Sequence, residues 1–157
     1  MLSMGVVLNA KSAPTTESVF SSIKCKLINA RSLNNKLPEL HELLDNNPDI
    51  SVLCITESWL KPETSNTTII NNRHYSIFRT DRSGDQTGGG VCIIVNDLTV
   101  SAVDAKVDCS SNNFDIVCID VVNTHQPIRI ITCYRPPSTH RQTDRQTDRQ
   151  TDRQIED

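Results

Sequence analysis

Residues 50–55 form an apolar run, rich in β-branched side chains, in which a single serine is the polar exception. A run of this length and composition predicts a β-strand that is buried on both faces in the middle of a sheet. The strand is followed by a carboxylate, Glu57, and then by Trp59, the chain's single tryptophan. Glu57 is therefore either a solvated acid that ends a strand or, because a central strand is a rigid support, a metal ligand or catalytic acid.

A strand, a helix and a second strand are predicted around this run. Residues 23–29 alternate apolar and lysine positions for most of their length, which predicts a first strand. Leucines then recur at the spacing of one helix face, at positions 33, 37, 40, 43 and 44. Asn34 or Asn35 can cap this helix, Pro38 fits its first turn, and residues 46–48 end it. A helix between two strands predicts a parallel pair with the helix lying over it.

The second half of the chain predicts consecutive strands joined by short turns. Residues 61–73 form a polar loop, and residues 79–90 form a charged, glycine-rich turn. Strands are predicted at 75–78, 91–95, 100–107, 114–122 and 128–134. Turn residues at 96–97 and 123–127 separate two pairs of them, so these strands are expected to run antiparallel.

Three of the predicted strands, 52–55, 91–95 and 116–119, are apolar at consecutive positions and need cover on both faces. One amphipathic helix is available to cover them. The predicted fold class is therefore α/β (α+β): a partial sandwich with a mixed sheet, one main covering helix and its second half missing. Such a chain exposes a large apolar sheet face, through which self-association is expected.

Composition narrows the classes of partner. The formal charge of −3 gives no overall basic field for nucleic acid, so any DNA contact has to come from a local patch. Aromatic residues make up 4% of the chain, too few for a row of stacked-base contacts. The six cysteines lack the spacing of a zinc or redox motif, and most lie in or beside apolar runs. They indicate buried thiols in a reducing, intracellular compartment, with nucleus and cytoplasm not distinguished.

Both ends of the chain are predicted to lie outside the domain, which is placed at 23–137. Residues 1–22 carry a short apolar patch with its lysine behind it, which does not fit a secretory signal and predicts a weakly structured leader. Within residues 138–157, an Arg-Gln-Thr-Asp repeat has no apolar residue to bury, so a disordered tail is predicted. No stretch is apolar and long enough to predict a membrane span, so no membrane partner is expected.

Polar residues stand where three of the predicted strands end: Asn29, Glu57 and the pair Tyr134-Arg135. If these strands are neighbours, Glu57 supplies the kind of carboxylate that Mg²⁺ takes together with water and phosphate oxygens. Asn29 can position a ligand, and Tyr134 with Arg135 can contact a phosphate. The plainer interpretations are a turn residue for Asn29 and an amphipathic edge residue for Tyr134. The glycines at 88–90 lack the lysine of a phosphate-binding loop and are interpreted as a turn into the next strand.

Five strings of residues carry a resemblance to a known family. They are 27–37 (LINARSLNNKL), 55–60 (ITESWL), 78–82 (FRTDR), 88–91 (GGGV) and 134–137 (YRPP). In this order they resemble the start of the endonuclease domain of non-LTR retrotransposons. That domain belongs to the endonuclease/exonuclease/phosphatase superfamily and is similar to the apurinic repair endonucleases. The resemblance covers roughly the whole of the predicted domain.

The resemblance implies a two-sheet α/β sandwich that nicks DNA with Mg²⁺, or with Mn²⁺ in its place. By position, it implies Glu57 as the metal ligand and Asn29 as the family's first-strand asparagine. It implies Tyr134 as the tyrosine that supports the scissile phosphate, and these three residues are the catalytic candidates. Arg31 and Arg135, which lie in the matching strings, are the candidate phosphate or DNA contacts.

The chain departs from the family pattern after residue 137. The family continues with an Asp-x-Asn strand end, a further aspartate and a terminal Asp-His pair, and neither Asp115 nor Asp120 stands in an Asp-x-Asn context. We therefore expect a truncated endonuclease domain with weak or ancestral DNA contact and no present activity. The alternatives are a non-catalytic remnant that binds nucleic acid or protein weakly, and another phosphoesterase of the superfamily that acts on a phospholipid or nucleotide.

Overall fold

The computed structural model describes residues 5–9, 22–82, 88–107, 114–124 and 126–136. Strands dominate these residues, together with one helix of ordinary length. The strands are β1 (Gly5–Asn9), β2 (Cys25–Asn29), β3 (Val52–Thr56), β4 (Tyr75–Thr80), β5 (Val91–Asn96), β6 (Ala102–Asp104), β7 (Asp115–Val121) and β8 (Ile128–Tyr134). The helices are α1 (Leu37–Asn46) and α2 (Asn66–Ile69), and a 3₁₀ turn at Asn34–Lys36 precedes α1.

The strands form two four-stranded sheets. In the first sheet the order is β2-β3-β5-β4, and in the second it is β1-β8-β7-β6. β2 and β3 run parallel, as the order of strand, helix and strand predicts, and the other described pairs are antiparallel. The register aligns Asn29 with Thr56 and Thr56 with Val91, so the ends of β2 and β3 meet the start of β5 at one edge.

Two hydrophobic cores lie on the two faces of the first sheet. Because side chains alternate along a strand, β3 places Leu53 and Ile55 in one core and Val52 and Cys54 in the other. The first core is closed by α1 and the segment around α2, and the second by β7 and β8. The layers are helix, sheet and sheet. This confirms the predicted mixed α/β sandwich with one main covering helix.

The described residues leave no uncovered apolar face on the first sheet, which corrects the prediction for the strands at 52–55 and 91–95. All residues of β3 and β5 are buried, because the second sheet covers the face that α1 leaves open. The large apolar side chains that stay exposed in the described ranges lie in loops or on the short strand β6: Trp59, Leu98, Val103, Val107 and Val122. Self-association through an open sheet face therefore has no support from this surface.

The helices differ from prediction in two places. Lys36 occupies the N-cap of α1 without a side-chain hydrogen bond, so the predicted cap by Asn34 or Asn35 was wrong. Those two asparagines lie in the 3₁₀ turn instead, while Pro38 fits the first turn of α1 as predicted. The predicted loop at 61–73 contains the four-residue helix α2. Neither described helix is long and apolar enough to cross a membrane.

The structure describes part of the predicted leader. Gly5–Asn9 forms β1 and pairs antiparallel with β8, which corrects the prediction of a weakly structured segment at 1–22. The apolar patch pairs there because an open strand edge leaves backbone N–H and C=O groups without partners. Residues 1–4, 10–21 and the predicted tail at 138–157 lie outside the described residues. The domain boundaries therefore stay predictions.

The cysteines that the structure describes form no disulfide with one another. Cys54, Cys92 and Cys118 are buried in strands, as their apolar surroundings predict. Burial raises the pKa of the Cys92 thiol to about 12. Protonated, buried thiols of this kind pack as small hydrophobic side chains and are poor nucleophiles. Cys109 lies outside the described residues.

Candidate functional site

Three chain segments at the ends of strands form one continuous rim. They are residues 30–33 after β2, residues 57–59 after β3 and residues 88–90 before β5. Backbone N–H groups of the first segment donate to carbonyls of the second segment and of the end of β3, at 2.8 to 3.0 Å. N–H groups of the second segment donate to the third at 3.0 and 3.2 Å. The rim therefore continues the hydrogen-bond ladder of the sheet past the ends of its strands.

The backbone of the rim is conformationally unusual. Four of the five non-glycine residues with positive φ in the described ranges lie on it: Arg31 at 46°, Ser32 at 82°, Glu57 at 56° and Trp59 at 52°. Each costs about 1 kcal/mol or more relative to the right-handed region. Strain of this kind persists only where the surrounding contacts enforce it, and it concentrates at functional sites. Backbone geometry therefore marks the rim as the candidate site.

The carboxylate of Glu57 lies at the centre of the rim. Its Oε1 accepts a hydrogen bond from the hydroxyl of Tyr134, the last residue of β8 in the second sheet. Its Oε2 accepts from the indole N–H of Trp59 and, at 3.1 Å, from the backbone N–H of Gly89. The structure thus brings Glu57 and Tyr134 together, although they are 77 positions apart in the chain.

These contacts set the protonation of both groups. Partial burial raises the pKa of Glu57, but hydrogen bonds from Trp59, Tyr134 and Gly89, with the nearby Arg82 guanidinium, outweigh it and hold the pKa below its usual value. Burial, reinforced by the Glu57 carboxylate, raises the pKa of the Tyr134 hydroxyl to about 12. At neutral pH the rim therefore pairs an ionised carboxylate with a neutral hydroxyl donor.

The glycine segment of the rim is shaped by close approaches. Residues 88–90 have φ between 78° and 88°, which side chains other than glycine rarely adopt. A Cβ at Gly89 would lie 2.4 Å from the Nε of Arg82, and one at Gly90 would lie 2.6 Å from the Oγ of Ser58. The segment has the turn conformation that the sequence predicts. Its N–H groups also donate to side-chain carboxylates, a role that the sequence did not indicate.

An ion pair fixes this glycine segment to the second sheet. Arg82 Nε donates to both carboxylate oxygens of Asp115 at 3.0 Å, and the Gly90 N–H donates to Asp115 at 2.9 Å. The two side chains of the pair are 17% and 11% exposed. Because Asp115 begins β7, the pair ties the two sheets together beside the rim. The pair thereby positions the neighbouring Gly89, whose N–H donates to Glu57.

The sequence did not indicate the roles of four residues in this arrangement: Trp59, Gly89, Arg82 and Asp115. Trp59 and Gly89 lie in strings that carry the family resemblance, so a signal existed, but it did not indicate their contact with Glu57. Arg82 also ends one of these strings, but it is 33 positions from Asp115, and nothing in the sequence indicates that the two form a pair. Their role becomes visible only when the second sheet packs on the first.

The remaining predicted residues lie at the same edge with fewer contacts. Asn29 ends β2 opposite Thr56, and its buried Oδ1 has no hydrogen-bond partner among the described residues. Arg31 lies two residues after the end of β2, Arg135 lies directly after the end of β8, and both are exposed. Neither guanidinium pairs with a carboxylate in the part of the chain that the structure describes. The edge therefore carries two cations that are available to an anionic ligand.

The side-chain oxygens at this edge provide a small set of ligands for a divalent cation. No group of three or more His, Cys, Asp or Glu side chains in the described ranges is placed to hold a metal ion. Mg²⁺ is commonly held through one or two carboxylates, with water and phosphate oxygens completing its shell. Glu57 provides one carboxylate, and the unpartnered Oδ1 of Asn29 is a second hard oxygen. These residues fit Mg²⁺ or Mn²⁺ as a site that a bound phosphate completes.

No protein-family model and no curated protein matches the chain. Among solved structures, a variant of the 3′ phosphatase NExo from Neisseria bound to a product DNA hairpin is 22% identical, with a TM-score of 0.47 over 69% of this chain. An AP endonuclease from Archaeoglobus fulgidus is 16% identical, with a TM-score of 0.46 over 64%. The 3′-5′ exonuclease NExo from Neisseria meningitidis is 23% identical, with a TM-score of 0.41 over 63%. The chain spans less than half of each of these proteins: 40%, 37% and 37% of their lengths, in the same order.

Proposed function

We propose that the rim around Glu57 binds a nucleic-acid phosphate together with Mg²⁺ or Mn²⁺, as a site of retrotransposon-endonuclease type. The observation that carries the proposal is the convergence of a hydroxyl, an indole N–H and a backbone N–H on one carboxylate. Donors from three separate segments keep a carboxylate ionised and fixed in orientation, which is what a metal ligand at a reaction centre requires. The sequence resemblance of residues 23–137 supports the same assignment.

Each polar residue on or beside the rim has a task in this proposal. Glu57 holds the cation, and Asn29 contributes its free amide oxygen. The neutral hydroxyl of Tyr134 can donate to a phosphate oxygen when it is not donating to Glu57. Arg31 and Arg135 attract the DNA backbone and orient it across the rim. A cation held there would neutralise part of the negative charge of the bound phosphate.

We further propose that this arrangement binds DNA without hydrolysing it. A general base that activates water contributes roughly 10² to 10⁴ in rate. Among the described residues no imidazole lies on the rim, because His41 in α1 bonds to the Ile69 carbonyl at 2.8 Å and His74 precedes β4 at the opposite end of the sheet. The nearby carboxylate of Asp115 is already engaged by Arg82. Among the described residues the rim therefore has binding groups and no free base.

Nicking of supercoiled plasmid DNA tests the loss of hydrolysis. The purified chain with Mg²⁺ is compared with Glu57→Ala and with the chain in EDTA, after circular dichroism has shown that each protein is folded. We expect no nicking by the wild-type chain above the Glu57→Ala background. Nicking that requires both Mg²⁺ and Glu57 would show that the rim still hydrolyses DNA, alone or in an assembly.

Cation binding has a separate readout in the single tryptophan. Protein labelled with ¹⁵N gives one indole N–H signal in its NMR spectrum, from the group that donates to Glu57. We expect Mn²⁺, which is paramagnetic, to broaden this signal, and Glu57→Gln to prevent the broadening at the same Mn²⁺ concentration. Absence of broadening in the wild type, or equal broadening in Glu57→Gln, contradicts a metal site at Glu57.

The retrotransposon origin is tested in the gene. Genomic DNA downstream of the coding region, translated in any frame, is expected to encode a reverse transcriptase or the Asp-x-Asn and Asp-His motifs of the endonuclease family. A locus with neither removes the support for the retrotransposon branch and leaves the rim's binding chemistry to be judged by the two protein experiments.

A further inference from the structure

Trp59 is the most exposed aromatic side chain in the described part of the chain, with 41% of its surface accessible. Tyr75, Phe78 and Phe114 are half-buried, and Tyr134 is buried. Packing in a core therefore does not account for the position of the indole. It lies on the rim, against the carboxylate of the candidate site, where a large apolar surface next to polar groups is typical of a ligand contact.

The indole is fixed by contacts on several sides. Its Nε1 donates to Glu57, and the Trp59 backbone N–H donates to the Gly89 carbonyl at 3.0 Å. A Cβ at Gly88 would lie 3.6 Å from Nε1 and 3.8 Å from Cε2, so the ring rests on a glycine backbone. The φ of Trp59 is 52°, in the left-handed region that residues other than glycine rarely adopt, so the surrounding contacts hold its backbone in this conformation. A ring held in this way loses little rotamer freedom when a ligand binds.

We propose that Trp59 stacks on an unpaired nucleobase adjacent to the phosphate that the rim binds. This inference rests on the proposed function and adds a ligand class to it: a single-stranded or flipped-out nucleotide. Both faces of a base inside a duplex are stacked on its neighbours, so only an unpaired base can lie on the indole. Stacking on an aromatic side chain is tolerant of base identity, and Arg31 and Arg135 supply the attraction to the backbone.

Two labelled oligonucleotides of equal length and equal phosphate number test the proposal. One carries ordinary bases, and the other consists of tetrahydrofuran abasic units. In a buffer that contains Mg²⁺, fluorescence anisotropy is expected to show about tenfold tighter binding of the base-bearing strand, because the stacking of a single base changes affinity by about that factor. The base-bearing strand is also expected to quench the fluorescence of Trp59, the chain's single tryptophan, while the abasic strand leaves it nearly unchanged.

Two substitutions separate the ring from its N–H group. Trp59→Phe and Trp59→Leu both remove the hydrogen bond to Glu57, but only the phenylalanine keeps an aromatic face. We expect Trp59→Leu to abolish the tenfold preference for the base-bearing strand and Trp59→Phe to retain most of it. Leu98→Ala, at a residue that is 72% exposed in the turn after β5, is the matched surface control and should change neither affinity.

The outcomes distinguish this inference from the proposed function. Equal binding of the two strands by the wild-type chain, with unquenched Trp59 fluorescence, overturns the stacking and leaves the phosphate site intact. A preference that survives Trp59→Leu overturns the assignment to Trp59. If the folded wild-type chain binds neither strand, the proposed function fails as well. The wild-type comparison decides the question even if a Trp59 variant does not fold.

Discussion

Removal of the Tyr134 hydroxyl is a direct test of the rim's geometry. Tyr134→Phe keeps the ring, which is 4% exposed and packs in the core between the two sheets. It removes one hydrogen-bond donor, whose acceptor is the Oε1 of Glu57. The substitution therefore breaks one contact between β8 and the rim and leaves the surrounding packing in place.

The size of the effect follows from the kind of bond that is lost. A hydrogen bond to a charged group is worth about 1.5 to 3 kcal/mol. Glu57 is half-buried, so water can partly replace the lost donor and the lower end of that range applies. We expect Tyr134→Phe to lower the free energy of unfolding by about 1.5 kcal/mol, or about 6 °C in Tm. In a Glu57→Ala background the same substitution is expected to cost less than about 0.5 kcal/mol.

Urea unfolding of the four proteins in this cycle, at pH 7, measures both free-energy differences. Tyr75→Phe is the matched control, because Tyr75 is half-buried against the other core and its hydroxyl makes no hydrogen bond to a described residue. Its change in the free energy of unfolding is expected to stay within about 0.5 kcal/mol. A hydrogen bond between Tyr134 and Glu57 is contradicted if Tyr134→Phe costs no more than Tyr75→Phe, or if it costs as much without Glu57 as with it.

Three further predictions concern the same rim. Because the pKa of Glu57 is held below 4.5, the stability that the ionised carboxylate contributes is full above pH 4.5 and is lost as the pH falls through the lowered pKa. The NMR signal of the Trp59 indole N–H should titrate with Glu57, and a titration midpoint at or above pH 4.5 contradicts the lowered pKa. Gly90→Ala places a Cβ 2.6 Å from the Ser58 Oγ and is expected to lower the free energy of unfolding by about 3 kcal/mol, against about 1 kcal/mol for Gly88→Ala, whose Cβ meets no atom nearer than 3.6 Å. Equal losses in thermal unfolding would argue against that close approach. Ser58→Ala removes a buried hydroxyl that has no hydrogen-bond partner among the described residues. We expect the free energy of unfolding to stay unchanged or to rise by up to about 1 kcal/mol, and a clear loss of Tm would show that the hydroxyl has a partner.

Periodicity predicts most of the elements because its signal is local. The apolar runs of β3 and β5 and the leucine spacing of α1 each lie within a few residues. What covers a buried strand is a long-range property. β7 and β8 close over the first sheet from the far end of the chain, so the sequence predicts an open face where the structure has a core. α2 escapes prediction because four residues make barely one helical turn, too short for apolar positions to repeat at helical spacing.

The same distinction separates the residues of the site. Asn29 and Glu57 could be placed together from the sequence, because neighbouring parallel strands end at the same edge of a sheet. Tyr134 reaches Glu57 through the packing of one sheet on the other, which no spacing in the sequence encodes. Its place at a strand end and the family resemblance made it a candidate, but neither indicated its contact with Glu57. Asp115 has the pattern of an ordinary charged residue, and Arg82 lies in a matching string without an assigned role. Only the folded chain shows that the two support the rim.

The donors around Glu57 impose a condition on any cation that binds there. A carboxylate offers about four lone-pair positions to donors or metal ions. Hydrogen bonds from Tyr134, Trp59 and Gly89 already occupy three of those positions on Glu57. The contacts that keep Glu57 ionised therefore compete with the metal that an ionised carboxylate attracts. A cation binds at the remaining position or displaces a donor, and Trp59 is the donor whose side chain is most exposed. Occupancy of the metal position and the placement of the indole are then coupled through a single carboxylate.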